Sequence, residues 1–293
     1  MAEKQIYTFT NEINEVEIAA LSAKITVEST DSEAITAEYE NTGEKPEFCA
    51  VLTGKKVTLK EIWKLGMICS KGGESAITVK LPKKLYSLLK IKTASGGVEL
   101  SDSAVTAENF YLETASGEIN INAFFQNVKI KTASGKVTLE NPTDNKAVSV
   151  DIAAASGEVT VKGYSTEKYK ISSASGKTVY TDAAGDGEIN VTSGNIEIDY
   201  SDWSGDLKIG AVSGNVKVTL PKDSGINVKF DGVSGMVKTD LGGEPGRFMN
   251  LGKGTNGEFG GSNKRNVAVN LISGTVTLAS QQPAAEKEII ISE

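Results

Sequence analysis

The sequence predicts an all-β fold, a single-stranded parallel β-helix (β-solenoid) with coils of about 20 residues. The first observation is a recurring Ser-Gly pair, found at Ser95, Ser116, Ser134, Ser156, Ser175, Ser193, Ser213, Ser234 and Ser273. Successive pairs lie 18–22 residues apart, except for a last gap of 39 that is close to two periods. The second observation is that apolar and polar residues alternate on both sides of each pair. A fixed period indicates stacked coils, and the usual hand of parallel crossover connections favours a right-handed coil.

Three positions in each repeat are predicted to face the interior. They lie four residues before the serine and three and five residues after it, and Thr178 is the exception in an otherwise aliphatic column. Spacing by two places side chains on one face of a strand, so these positions should form stacked columns. The nine residues four positions before the serine are Ile91, Leu112, Ile130, Ile152, Ile171, Ile189, Ile209, Phe230 and Val269.

The Ser-Gly pair is predicted to be a structural turn. Glycine supplies a positive φ at no steric cost, and the serine hydroxyl can bond local backbone or the next coil. The alanine that precedes the serine in the first five repeats is small, which suits a crowded inside corner. A structural role is therefore favoured over a catalytic one.

Two residues after the serine, charges alternate in successive repeats as Glu118, Lys136, Glu158 and Lys177. If the coils stack in register, opposite charges lie over one another and disfavour a slip by one coil.

The chain is predicted to have three parts. Residues 1–88 form an N-terminal cap and degenerate coils that continue into the solenoid, with a short helix as an alternative around Trp63–Ile68. Residues 89–280 carry the regular repeats, with a loop insertion near 242–262. Residues 281–293 form a tail or capping strand. Atypical terminal repeats are expected because one of their faces meets water.

The composition argues against several partners. The chain has 38 acidic and 31 basic residues, a net charge of −7, and should repel nucleic acid and anionic membranes. No apolar run approaches the roughly 18 residues of a membrane-spanning helix, and no secretory leader is evident. The sequence therefore predicts a cytoplasmic protein without direct membrane insertion. Cys49 and Cys69 are predicted to be free thiols, with contact between stacked coils as the alternative.

The absence of histidine excludes Ser-His-Asp and Cys-His catalysis and argues against a structural zinc site. Residues 252–257 match G-x-G-x-x-G, but the residues that follow cannot begin the helix that a dinucleotide site requires. No catalytic residue and no cofactor are predicted.

The segment 199–206 is the one candidate site. Asp199, Asp202 and Asp206 are candidate calcium ligands or catalytic carboxylates, and Tyr200 and Trp203 are candidate platforms for sugar rings. The spacing of the acids matches neither the EF-hand nor the calcium-binding nonapeptide repeat. Solvated turn acids beside aromatic rings packed on the coil are the favoured interpretation.

The repeated Thr-Ala-Ser-Gly-x-(Val/Ile)-x-(Leu/Ile) units, the segment Val218-Thr-Leu-Pro221 and the later Val233-Ser-Gly-Met-Val237 resemble a bacterial family. It is the β-strand-repeat "putative adhesin" family, a domain of unknown function, and the resemblance covers roughly residues 75–280. It implies a single-stranded parallel β-helix and an adhesin-like role at the cell envelope. It supplies no catalytic residues.

The first hypothesis is therefore a non-enzymatic interaction or scaffold protein that binds an unknown protein or glycan partner. The second is a polysaccharide-active enzyme that uses Asp199, Asp202 and Asp206. The third is a calcium-dependent glycan binder that uses the same loop. Cell-surface association is the alternative localisation that the family resemblance implies.

Overall fold

The computed structural model describes residues 3–42, 47–62, 74–242, 247, 249–252, 254 and 256–281. In these residues the chain forms 27 β-strands and no helix. The strands make two long sheets of 14 and 13 strands. The predicted all-β class is confirmed.

Sheet 1 contains, in spatial order, Glu3–Phe9 (β1), Ile35–Asn41 (β4), Ser75–Pro82 (β7), Lys24–Thr30 (β3), Val98–Leu100 (β9), Glu118–Asn122 (β11), Lys136–Glu140 (β13), Glu158–Lys162 (β15), Lys177–Ala183 (β17), Asn195–Tyr200 (β19), Asn215–Leu220 (β21), Thr275–Ser280 (β27), Met236–Thr239 (β23) and Met249–Leu251 (β24). Sheet 2 contains Asn256–Gly260 (β25), Ser224–Gly232 (β22), Asn263–Leu271 (β26), Leu207–Ala211 (β20), Asp186–Val191 (β18), Thr166–Ser173 (β16), Ala147–Ala154 (β14), Phe125–Thr132 (β12), Thr106–Thr114 (β10), Leu85–Thr93 (β8), Glu15–Ala20 (β2), Lys56–Ile62 (β6) and Glu47–Thr53 (β5).

Each regular coil contributes one strand to each sheet. The chain runs along sheet 2, turns at the Ser-Gly pair, runs along sheet 1 and returns to sheet 2 one level further on. Neighbouring strands of the stack are parallel, and Ile130 lies opposite Leu112 on one side and Ile152 on the other. The fold is therefore a β-solenoid. The handedness of its coil stays a prediction.

The core is the space between the two sheets. At the three predicted interior positions of all nine repeats, every residue is at most 2% exposed, including Thr178. β-branched side chains favour the pleated surface and stack on their equivalents in neighbouring coils. The interior columns are confirmed.

The predicted charge register is also confirmed. Lys136 lies opposite Glu118 on one side and Glu158 on the other, and Glu158 lies opposite Lys177. Cross-strand ion pairs also form on the outer face of sheet 2, where Lys170 contacts Glu188 at 2.7 Å. Each exposed pair contributes little, so the chief effect of these charges is on register.

The spatial order of the coils differs from their sequence order at both ends. At the N-terminal end, the coil β2–β3 lies between β6–β7 and β8–β9. At the C-terminal end, the coil β26–β27 lies between β20–β21 and β22–β23. The predicted insertion near 242–262 contains β24 and β25, which pair antiparallel with β23 and β22.

The N-terminal 88 residues contain two coils and three further strands. Strands β4 and β5 pair antiparallel with β7 and β6, and β1 pairs with β4. The alternative helix at Trp63–Ile68, Cys69 and the tail beyond Gln281 lie outside the described residues. Cys49, on β5, is a partly buried free thiol. In the part of the chain that the structure describes, no helix has the length and hydrophobicity needed to cross a membrane.

Candidate functional site

The serines form a ladder along one edge of the stack. Each Oγ donates a hydrogen bond to a backbone carbonyl in the neighbouring coil, for example from Ser134 to Ala115 at 3.0 Å and from Ser156 to Ala133 at 3.0 Å. The backbone N–H of the same serine donates to the same oxygen. The remaining members of the ladder are Ser95, Ser116, Ser175, Ser193, Ser213, Ser273 and Ser234. Their hydroxyl protons are therefore committed to holding adjacent turns together.

The expected reason for the glycine in the turn is wrong. Of the glycines that follow these serines, Gly274 alone has a positive φ, of 98°. The others are required by close approach, since a Cβ at Gly117 would lie 2.1 Å from the carbonyl oxygen of Gly96. The same contact recurs between Gly176 and Gly157, also at 2.1 Å. Adjacent turns thus touch backbone to backbone, and a side chain at this position would push them apart.

The residue two positions before the serine shapes the turn in the first three regular coils. Thr93, Thr114 and Thr132 each accept a hydrogen bond at Oγ1 from the backbone N–H of the turn glycine, at 2.9–3.1 Å. This satisfies a buried donor inside the corner. Later coils have Ala154, Ser173, Val191 and Ala211 at this position.

The alanines that precede the serines lie on the outside of the corner. The sequence predicts them in a crowded inside corner, but Ala94, Ala115, Ala133, Ala155 and Ala174 are all exposed. Their column continues into larger apolar residues, Val212 at 44% exposure and Ile272 at 54%. At the other end of the column stands Leu21, at 38%. An apolar stripe, interrupted by the exposed Thr192, therefore runs across the strands along the turn edge.

This stripe is the floor of a groove with a volume of about 1200 Å³. We call it the turn-edge groove. Its lining comprises Ala20, Leu21, Lys92, Thr93, Ala94, Glu113, Thr114, Ala115, Lys131, Thr132, Ala133, Ala153, Ala154, Ala155, Ser172, Ser173, Ala174, Asn190, Val191, Thr192, Gly210, Ala211, Val212, Asn270 and Ile272. Sequence reasoning missed this groove. Val212 and Ile272 were the available signal, because a crowded inside corner would not hold branched side chains where other coils have alanine.

One wall of the groove changes character along its length. Near the N-terminal end it carries charge, with Lys92 and Glu113 paired at 2.7 Å. The hydrogen bond from Lys92 lowers the pKa of Glu113, and Glu113 in turn raises the pKa of Lys92. Towards the other end the wall is neutral, with Ala153, Ser172, Asn190, Gly210 and Asn270.

The aromatic residues of segment 199–206 are in the core. Tyr200 is fully buried and Trp203 is 2% exposed, and their rings meet edge to face at 4.9 Å. The hydroxyl of Tyr200 lies 2.6 Å from that of Tyr169, and Nε1 of Trp203 donates to the carbonyl of Gly225 at 2.8 Å. Burial raises the pKa of both tyrosines. Neither ring face is open to a sugar, so the candidate platform of Tyr200 and Trp203 is corrected to a packing role.

The three acids of the segment do not converge. Asp199 lies between the buried Ile198 and Tyr200 of β19, so its side chain points to the outer face of sheet 1. Asp202 is exposed in the loop. Asp206 precedes β20 of sheet 2, and its oxygens accept hydrogen bonds from the backbone and side-chain nitrogens of Asn266 at 2.9 and 3.0 Å.

The hydrogen bonds from Asn266 hold the pKa of Asp206 below its usual value, so it is a poor general acid. No group of three or more acidic, histidine or cysteine side chains among the described residues is placed to hold a metal ion. The candidate calcium site of Asp199, Asp202 and Asp206 is therefore not formed.

Two parallel-rich sheets, a hydrogen-bonded turn ladder and a groove along that ladder define a β-solenoid with an elongated surface site. The chain belongs to the Toastrack DUF4097 family, whose model matches residues 13–279. No curated protein matches the sequence.

Solved structures that resemble this chain come from bacteria. A "putative adhesin" from Parabacteroides distasonis is 12% identical, with 95% of this chain and 97% of that chain covered and a TM-score of 0.49. A "putative lipid binding protein" from the same species is 12% identical, with 94% and 96% covered and a TM-score of 0.43. A "putative adhesin" from Parabacteroides merdae is 14% identical, with 95% and 96% covered and a TM-score of 0.34.

Proposed function

We propose that this protein is a non-enzymatic, adhesin-like interaction protein that binds an elongated partner along the turn-edge groove. The observation that carries the proposal is the exposed apolar column from Leu21 to Ile272, which forms the floor of a groove of about 1200 Å³. Contiguous apolar surface of this kind is typical of interaction sites.

The shape of the groove favours an extended partner. It crosses the strands, so its length grows by about 4.8 Å with each coil and reaches roughly 38 Å over the eight spacings between its nine coils. Alanine side chains keep the floor low, which lets a partner chain approach the solenoid backbone. Such a surface fits an extended, strand-like segment of a partner better than a protruding globular domain.

The chemistry of the groove favours a protein partner over a glycan. The floor offers methyl groups, and the hydroxyl protons of the serine ladder are already donated to backbone carbonyls. A glycan needs many directional donors, whereas apolar side chains of a polypeptide need contact area. The partner that we propose is therefore an extended polypeptide with apolar side chains, and a glycan is the competing outcome.

A role without catalysis is supported by the lack of histidine and by the separation of Asp199, Asp202 and Asp206. For the coil we retain the right-handed sense, which is usual for parallel crossovers. We also propose that the protein acts at the bacterial cell surface, as an adhesin-like role requires. Protease shaving of intact producing cells checks this, since a surface protein is degraded while a cytosolic marker survives.

The binding test uses a phage-displayed library of random peptides selected on the purified protein, with a glycan array probed in parallel. Selected peptides should bind the wild type and lose about tenfold or more in affinity with Ala133→Arg and Ala155→Arg, which place long charged chains on the groove floor. The matched controls are Thr138→Arg and Thr160→Arg, on the outer face of sheet 1 in the same two coils. Equal loss in both pairs of variants, or binding to glycans alone, would overturn the proposal.

A further inference from the structure

The C-terminal coil occupies a place in the stack that its sequence position does not predict. Residues 224–239 precede residues 263–280 in the sequence. In the stack, however, the coil 263–280 lies between the coils 207–220 and 224–239. The pairing is explicit on the outer face of sheet 2, where Ala268 lies opposite Lys208 on one side and Lys229 on the other. In sheet 1, Val276 likewise lies between Val216 and Val237.

The connection into coil 224–239 is adapted to this gap. From Leu220 to Ser224 the chain must climb two strand spacings, about 9.6 Å, whereas connections between regular coils climb one. The connection from β7 to β8, at the other end of the stack, also climbs two. Asp223 has a φ of 64°, a conformation that non-glycine residues seldom adopt. The N–H of Ser224 donates to the carbonyl of Pro221 at 3.2 Å, which closes a tight turn.

The connection into the C-terminal coil crosses this turn at close range. A Cβ at Gly261 would lie 2.0 Å from the carbonyl oxygen of Asp223, and a Cβ at Gly225 would lie 2.3 Å from that of Gly261. Gly260 has a φ of 81° and contacts Ser224 in the same way, at 2.2 Å. Connections seldom cross on one edge of a sheet, and here the crossing depends on three glycines.

The interior columns do not distinguish the final order from a simpler one. Coil 224–239 carries Phe230 and Val237 where coil 263–280 carries Val269 and Val276, and both have the Ser-Gly turn. Either coil can therefore cover the exposed edges of β20 and β21. Coil 224–239 follows β21 directly, whereas coil 263–280 begins much later in the chain. Coil 224–239 therefore closes the shorter loop and reaches those edges first when the full chain refolds.

The N-terminal end shows the opposite case. Coil β2–β3 is also flanked on both sides, but it precedes both of its neighbours in sequence. The chain can add β6–β7 on one side and β8–β9 on the other without opening any contact. At the C-terminal end, in contrast, the coil that lies in the middle follows both of its neighbours in sequence.

We propose that residues 263–280 are a locking coil that enters the stack last, by displacing coil 224–239 from a direct, transient pairing with coil 207–220. Insertion moves coil 224–239 outwards by one level. It also brings β25, which precedes the locking coil in sequence, against β22.

Disulfide trapping during refolding of the full chain tests this order, in a background with Cys49→Ser and Cys69→Ser. The pair Lys208→Cys/Ala268→Cys joins neighbours in the final stack, within the Cα separation of about 4.4–6.8 Å that a disulfide requires. The pair Lys208→Cys/Lys229→Cys is two strand spacings apart there, about 9.6 Å, and can close only if coil 224–239 pairs directly with coil 207–220. All three positions lie on the outer face of sheet 2.

The matched control is Lys170→Cys/Lys208→Cys, in the same outer column and also two spacings apart, around Glu188, where the coils follow sequence order. We expect the 208/229 disulfide when oxidant is added early in refolding, at a yield about tenfold or more above the control, and the 208/268 disulfide only later. A 208/229 yield equal to the control at every time, or 208/268 closure as early as 208/229, would overturn the proposal. The native fold of each reduced variant is checked by circular dichroism before the trapping.

Discussion

The carboxylate of Glu61 lies 2.7 Å from the backbone nitrogen of Leu21, and the same oxygen also accepts hydrogen bonds from the N–H groups of Ser22 and Ala23. These three residues form the turn of the first coil, between β2 and β3. In regular coils the N–H groups that correspond to those of Leu21 and Ser22 donate to carbonyls of a neighbouring turn, as those of Ala115 and Ser116 do. A buried carboxylate on the outer coil replaces those carbonyls, so Glu61 closes the turn ladder.

Glu61→Ala should lower the free energy of unfolding by about 2–4 kcal/mol, because it leaves several backbone donors without an acceptor. Urea denaturation followed by circular dichroism measures this. The control is Glu40→Ala, which removes an exposed carboxylate that pairs with Lys4 and should cost less than about 1 kcal/mol. Equal effects of the two substitutions would contradict the capping role.

Glu17 makes the N-terminal end sensitive to acid. Burial alone would raise its pKa, but hydrogen bonds from Lys56 and Lys90, at 2.7 and 2.8 Å, outweigh it and lower the pKa to about 2. The folded value lies below the unfolded one, so the stabilisation is complete above the ordinary value of 4.5 and is lost as the pH falls towards 2. Its size is at most about 3 kcal/mol, reduced by solvent because the lysines are partly exposed.

The measurement compares wild type with Glu17→Gln by urea denaturation across this pH range. The contribution of the charge should be largest near neutral pH and disappear as the pH falls through about 2, below which the carboxylate is protonated in both states. Taking the difference removes the contribution of other ionised carboxylates. A difference that does not change with pH would show that the charge of Glu17 is not its source.

Thr178→Val should raise the free energy of unfolding by about 1 kcal/mol. The hydroxyl of Thr178 is buried without a hydrogen-bond partner, in a column between Val159 and Ile196. Valine has the same shape and removes the cost of a buried, unsatisfied hydroxyl. Thermal unfolding measures the change, and Thr160→Val on the outer face of sheet 1 should shift stability by less than about 0.5 kcal/mol. A destabilised Thr178→Val protein would contradict the prediction.

Gly96 and Gly97 are adjacent, but only Gly96 lies too close to a neighbouring turn for a side chain. Comparing substitutions at the two positions therefore distinguishes the effect of close approach from that of glycine flexibility. A Cβ at Gly96 would lie 2.0 Å from the carbonyl oxygen of Ala23, whereas the nearest atom to a Cβ at Gly97 is 3.3 Å away. Gly96→Ala should therefore cost about 2–4 kcal/mol, and Gly97→Ala less than about 1 kcal/mol. Chemical denaturation of both variants tests this, and similar costs would show that the turns can move apart freely.

The interior columns and the serine turns could be predicted because they repeat. Each coil repeats the same pattern of apolar residues, so an atypical residue such as Thr178 in one coil does not obscure the pattern seen over nine repeats. The order of the coils could not be predicted for the same reason. Val216, Val276 and Val237 occupy the same interior column in three coils. Because the coils repeat the same interior residues, no local sequence feature indicates which coil lies beside which.

The candidate site was predicted less well than the fold. Tyr200 and Trp203 share one loop with acidic residues, a composition typical of a sugar-binding site, but the coils that pack against a ring decide whether it is covered. Trp203 is covered partly through its hydrogen bond to Gly225, a contact between distant parts of the chain. The groove was missed because an alanine fits an inside corner and an exposed floor equally well.

The antiparallel strands at the two ends fix how long the molecule can be. A stack of parallel coils has no internal reason to stop, because each coil is a template for the next one. Here β24 and β25 run against the coil direction at one end, and β5 does so at the other. Among the described residues, neither end therefore offers a second molecule two edges on which a coil could continue in parallel. This arrangement disfavours end-to-end growth of the rod into a fibre.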